Sequence, residues 1–138
     1  MSAVPGIESF DDLLRAARAQ SQPQQLLFVF AGAELPAGAS AAQRAAFEAG
    51  DGGELAPLMC VDKAAGQLHS FEALAEEAAR AGPPWAVVFS AALSGRDGRP
   101  PSAADTDAAL QHMVEAIKAG RLDGFLPFGR DGLPLRFA

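Results

Sequence analysis

Three stretches of the chain, Leu26 to Ala31, Leu58 to Val61 and Trp85 to Ala91, are apolar without the polar alternation of a half-exposed strand. Strands covered on both faces read this way, so these stretches are expected at the centre of a sheet. A fourth run, Phe125 to Phe128, and a fifth, Leu133 to Phe137, flank Gly129, Arg130, Asp131 and Gly132. An Asp-Gly turn between apolar segments marks a hairpin. Pro127 and Pro134 lack the amide proton a ladder needs, which puts this C-terminal hairpin at a sheet edge.

The segments between these runs have helical spacing. Apolar stripes occur at Phe10, Leu13, Leu14 and Ala17, at Phe71, Leu74, Ala78 and Ala81, and at Leu110, Met113, Val114 and Ile117. A shorter and weaker pattern surrounds Phe47. Each segment follows a serine placed to accept the first free amide protons: Ser9, Ser40, Ser70 and Ser102. Gly82 and Gly120 fall where the third and fourth helices would stop on a residue tolerant of positive φ. Helices alternating with strands argue for α/β: a mixed central sheet of about five strands, helices packed on it, and a C-terminal edge hairpin. The segment from Ala33 to Leu55, with Gly50, Asp51, Gly52 and Gly53, also lets the first two strands pair antiparallel, in which case α+β is the alternative.

A chain of 138 residues, 49% hydrophobic and 20% charged, is expected to fold as a single globular domain over 1–138. The net charge of −6 opposes a phosphate-binding groove, so nucleic acid is not an expected partner. No apolar run approaches the ~20 residues of a membrane helix, and Met1 to Phe10 does not read as a signal peptide. With Cys60 as the sole cysteine, no internal disulfide forms, and a cytoplasmic location is the default expectation.

Phosphate loops, nucleophile elbows and Cys-x-x-Cys pairs do not occur, and His69 and His112 stand in unrelated segments. No metal and no cofactor is implied. Two places carry candidate chemistry. The first is Ser94, Gly95, Arg96, Asp97, Gly98 and Arg99, between the third strand and the fourth helix. Ser94, Gly95, Arg96 and Arg99 could hold an anion there, and with parallel strands Glu34, Asp62 and Lys63 would gather at the same edge. The other reading of this loop is a mobile surface turn with solvated arginines. The second is Cys60, either a small buried hydrophobe or a thiol activated by Lys63 or an arginine. Asp11 with Arg15 and Glu76 with Arg80 have the spacing of exposed helix pairs, and Trp85 is placed to plug the core where the third strand begins.

Over Leu26 to Pro36, Pro57 to Lys63 and Trp85 to Arg96, the chain resembles a family of short bacterial proteins that carry the label ribonucleotide reductase subunit alpha. The resemblance implies a name without a catalytic residue. The large subunit of that reductase uses a radical-bearing cysteine, a redox pair of cysteines and, in the common class, relay tyrosines, whereas this chain has one cysteine and no tyrosine. One sulfur cannot supply a reducing dithiol.

The sequence therefore points to a small non-catalytic domain that binds a protein or a small ligand. Its partner would be another protein, or a second copy, meeting the edge of the C-terminal hairpin. The alternatives are a small thiol-dependent enzyme or sensor built on Cys60 and an anion-binding domain built on the Ser94 to Arg99 loop.

Overall fold

Six consecutive residues, Leu26 to Ala31, are buried, and successive side chains of a strand point to opposite faces. Such a strand needs cover above and below, and the architecture supplies it. The computed structural model describes residues 7–35, 37–49 and 54–136. The order of elements is α1 (Phe10–Arg18), β1 (Gln24–Glu34), α2 (Ala41–Glu48), β2 (Glu54–Ala64), α3 (Phe71–Ala81), β3 (Val87–Ser94), α4 (Ala103–Lys118) and β4 (Leu126–Phe128).

Leu26, Phe28 and Phe30 face a first core built with Phe10, Leu13 and Leu14 of α1, Phe71 and Leu74 of α3, Val88 and Phe128. Leu27, Val29 and Ala31 face a second core with Val87, Phe89 and Leu110, Met113 and Ile117 of α4. Phe10 joins the first core together, its ring lying 5.7 Å from Phe28, 5.1 Å from Phe71 and 5.3 Å from Phe128. Trp85 plugs the same core against Phe30, and Arg130 lies over its ring at 5.5 Å.

Among the described residues the sheet has four strands in the order β2-β1-β3-β4, and every pairing is antiparallel. The expectation of a mixed sheet of about five strands is corrected on both points. β2 and β3 lie on either side of β1 and run in the same direction, joined through α3, which makes a split βαβ unit. The other two helical connections return to antiparallel neighbours. α2 buries none of its side chains and merely bridges β1 and β2, so the antiparallel pairing on which the α+β alternative rested is the one observed.

The fifth apolar run makes one isolated bridge, Phe128 with Pro134, and Leu135 donates its amide proton to Pro127 O at 3.0 Å. Two prolines remove two ladder donors, which stops the pairing from extending into a strand. Phe137, and Gly50, Asp51, Gly52 and Gly53, lie outside the described residues. β2 also departs from expectation, for it lies at the other edge of the sheet and its residues alternate between exposed and half-buried. Pro57 is tolerated because β2 has a neighbour on one side only, and the register slips beside it, between Phe30 and Ala31.

All four serines cap as expected: their hydroxyls accept from Asp12, Gln43, Ala73 and Asp105 amides, with a reciprocal capping box at Ser40 and Gln43. Gly120 has φ +77°. Gly82 does not share that role. Its φ is −154°, which any residue adopts, and its small size matters because a Cβ there would lie 3.0 Å from the Met59 sulfur. Arg15 pairs with Asp12 rather than Asp11, and Lys63 joins β2 to α3 through Glu77 at 2.8 Å. No helix among the described residues is long and apolar enough to cross a membrane.

Because Phe28 is buried in the strand that both layers share, Phe28→Ala is expected to destabilise the fold by about 3–5 kcal/mol. Urea unfolding with an unchanged m-value would show it.

Candidate functional site

The Ser94 to Arg99 segment is a hydrogen-bonded turn. Arg96 and Arg99 exchange backbone hydrogen bonds of 3.0 and 2.9 Å, with Asp97 at φ +53° and Gly98 at φ +75° between them. This is a two-residue hairpin turn with both central residues at positive φ. It is tied to the start of β1: the Gln22 carboxamide accepts from the Gly98 amide at 2.8 Å, and Gln24 donates to Ser94 Oγ at 3.0 Å. Gly95 is buried, and the turn requires glycine there because a Cβ would collide with the Arg99 carbonyl oxygen. Arg96 and Arg99 are exposed at the outer end of the turn.

Glu34 does not gather there, whereas Asp62 and Lys63, opposite Leu27 and Leu26, lie toward the Ser94 end of the sheet with β1 in between. β1 runs against its neighbours, so Glu34 pairs with Glu54 at one end of the sheet while Ser94 pairs with Gln24 at the other. Asp62 is paired with Leu27 and accepts from the Gln25 side chain at 2.7 Å.

Cys60 is exposed, against the reading that packing is its job. Its strand is an edge strand, and its side chain sits on the α4 face, opposite Val29. Partial burial pushes its thiol above the usual value, and no cation contributes in the other direction. Lys63, proposed as the activating charge, lies one face over and is engaged by Glu77. Access is present and activation is not. His69 and His112 are exposed, and no group of three or more His, Cys, Asp or Glu gathers among the described residues in a way that could hold a metal.

The one buried side-chain nitrogen or oxygen without a hydrogen-bond partner among the described residues is Ser90 Oγ. Ser90 belongs to β3, is 1% exposed, and stands between Phe28 of β1 and Leu126 of β4. It shares the α1 face with Val88, two residues away. α1 covers that face with Phe10, Leu13 and Leu14 in its first turns, but its last turns carry only Ala16 and Ala17. Opposite them stand Ser90, Ala92 and Gly124. Where small side chains face small side chains, a layer of helix on sheet leaves space. The result is a cavity of about 310 Å³, walled by Leu13, Ala16, Ala17, Ser90, Ala92 and Leu126.

Ile7 closes one side, and Gln20 and Gln24 stand toward solvent. Ile7 is held by its neighbour: the Glu8 amide donates to Asp12 at 2.9 Å, and that bond, with Arg15 beside it, holds the Asp12 carboxyl below its usual value. Gln24 donates to Gln22 O and Ser94 Oγ, so the wall of the cavity and the Arg96 to Arg99 turn share a residue. A buried hydroxyl without a partner costs about 1–3 kcal/mol. Sequence reasoning passed over Ser90 because it lies inside an apolar run. The available signal was that single hydroxyl, together with Ala16 and Ala17 at the end of an otherwise bulky helical stripe.

The chain matches no family model, no curated protein and no solved structure. The cavity must therefore be interpreted from its own chemistry.

For the thiol, the geometry gives a definite expectation. Cys60 should react with a disulfide reagent in the native state, slowly at neutral pH, and with a rate rising about tenfold per pH unit until its raised pKa is passed. Stopped-flow labelling from pH 6 to 10 measures this, and a rate that is already maximal at pH 7 would show an activated thiolate.

Proposed function

We propose that the protein is a small-molecule-binding domain without catalytic activity of its own, and that its site is the cavity between α1, β3 and β4. The observation that carries this reading is Ser90, whose covered hydroxyl has no partner among the described residues and which lines an apolar space of about 310 Å³. Ligand sites are mostly apolar concavities of this order with a few placed polar groups. Binding rather than reaction is favoured because the lining contains no acid, base or cation among the described residues. A serine without an adjacent base is a poor nucleophile.

A second reading, contact with another protein or a second copy, is supported by the sheet edges. β2 has no strand partner on its outer side among the described residues, and Leu58 is exposed there; Leu133 and Leu135 are exposed by the C-terminal edge. Pro57 and the charges of Asp62 and Lys63 weigh against extended pairing along β2. Sedimentation velocity over a hundredfold concentration range tests the reading. Self-association abolished by Leu58→Lys would assign it to β2, and abolished by Leu133→Lys to the C-terminal hairpin, whereas a single monomeric species would remove self-association.

For the cavity, benzene is a suitable first ligand, since an apolar cavity of about 150 Å³ suffices to hold it. Millimolar benzene is expected to shift the amide resonances of Leu13, Ser90 and Leu126. Ala16→Phe, which fills the space from the half-exposed side of α1, should abolish those shifts without lowering Tm. Shifts that persist in Ala16→Phe, or that map elsewhere, would overturn the assignment.

A further inference from the structure

We propose that the cavity takes an uncharged molecule that enters with a single hydroxyl or carbonyl foremost, and that Ser90 is the residue that selects it. This rests on the reading of the cavity as a binding site and adds the chemical class of the ligand.

Three features of the walls lead there. Ser90 lines the buried end of the cavity and its covered hydroxyl has no partner among the described residues; a serine hydroxyl both donates and accepts, so a ligand group brought against it can be an alcohol, a phenol or a ketone. Around it, Leu13, Ala17, Ala92 and Leu126 offer only apolar contact. A molecule with several hydroxyls, such as a sugar, would leave all but one of them unpaired on entering, at a cost for each.

Charge is excluded by the same walls. No lining residue among the described residues is ionised. Arg18, on the same helix, has its guanidinium engaged by the carbonyl oxygens of Ala65 and Leu68. A carboxylate or an ammonium would therefore lose its hydration against aliphatic carbon with no counter-charge. The carboxamides of Gln20 and Gln24 stand nearer solvent, Gln20 donating to Ala16 O at 3.3 Å and Gln24 to Ser94 Oγ. A ligand's far end can meet polar, uncharged groups there.

The test is an NMR titration of the full chain with three molecules of nearly equal size: benzyl alcohol, ethylbenzene and benzoate. It is run on the wild type and on Ser90→Ala and Ser90→Thr. Ser90→Ala removes an unpaired hydroxyl, so its Tm is expected at or above that of the wild type, and loss of folding does not confound the result.

Benzyl alcohol should bind the wild type at least tenfold more tightly than benzoate. The ratio of benzyl alcohol to ethylbenzene affinity should fall about tenfold in Ser90→Ala and be retained in Ser90→Thr, which keeps the hydroxyl. If benzoate binds as well as the alcohol, or the ratio is unmoved in Ser90→Ala, the inference fails while the cavity remains a binding site. If none of the three molecules shifts the resonances of Leu13, Ser90 and Leu126, the binding reading itself fails and the inference falls with it.

Discussion

The burial of β1 from both sides is the constraint on which the rest of this structure depends. A strand whose alternate residues are Leu26, Phe28, Phe30 and Leu27, Val29, Ala31 cannot lie at an edge or face solvent. It takes β2 and β3 as lateral neighbours, α1 and α3 as one cover, and α4 as the other. Burying side chains of this size is worth about 1.5–3 kcal/mol each, more than any surface ion pair supplies. Asp12 with Arg15 and Lys63 with Glu77 adjust positions within a scaffold already determined by β1.

The cavity is a local shortfall in that same cover. α1 satisfies Phe28 with the ring of Phe10 and then declines in bulk to Ala16 and Ala17, leaving the β3 end of the face under-filled. Close-packed interiors rarely keep such a space next to an unpaired hydroxyl, because both reduce stability. Here the two coincide at Ser90. That coincidence separates this space from an ordinary packing defect, and it ties the candidate site to the layer that holds the fold together.

Much of the fold could be read along the chain, and the parts that could not have physical reasons. The four serine caps, the apolar helix stripes and two of the three expected central strands, β1 and β3, follow from local rules, and they stand where those rules put them. Strand direction does not follow from local rules. A helix between two strands reads the same whether it crosses over the sheet, as α3 does, or bridges neighbours, as α2 does. Pro57 marked β2 as an edge strand just as Pro127 marked β4, but it stands one residue before the apolar run and outside its pattern. Leu58 to Val61 therefore looked central, and Cys60 looked packed. The Ser94 to Arg99 loop read either as an anion site or as a surface turn, and Asp-Gly is equally a feature of open loops and of tight hairpin turns. Only the mutual hydrogen bonds of Arg96 and Arg99 distinguish the two. Ser90 was hidden by its surroundings, since a cavity arises from the juxtaposition of α1 with β3, some 75 residues apart in the chain, and no window of sequence contains both.

The placement of β1 at the centre also has a consequence in time. Leu26 is matched to Lys63 on one side and to Ala92 on the other, so its lateral partners arrive late along the chain. Until β3 has been made, the most apolar strand of the protein has no complete set of neighbours, and α4, which covers its second face, is made later still. Pairings this distant in sequence close slowly and expose apolar surface while they wait. The strand that specifies the finished architecture is thus also the segment most in need of protection during synthesis.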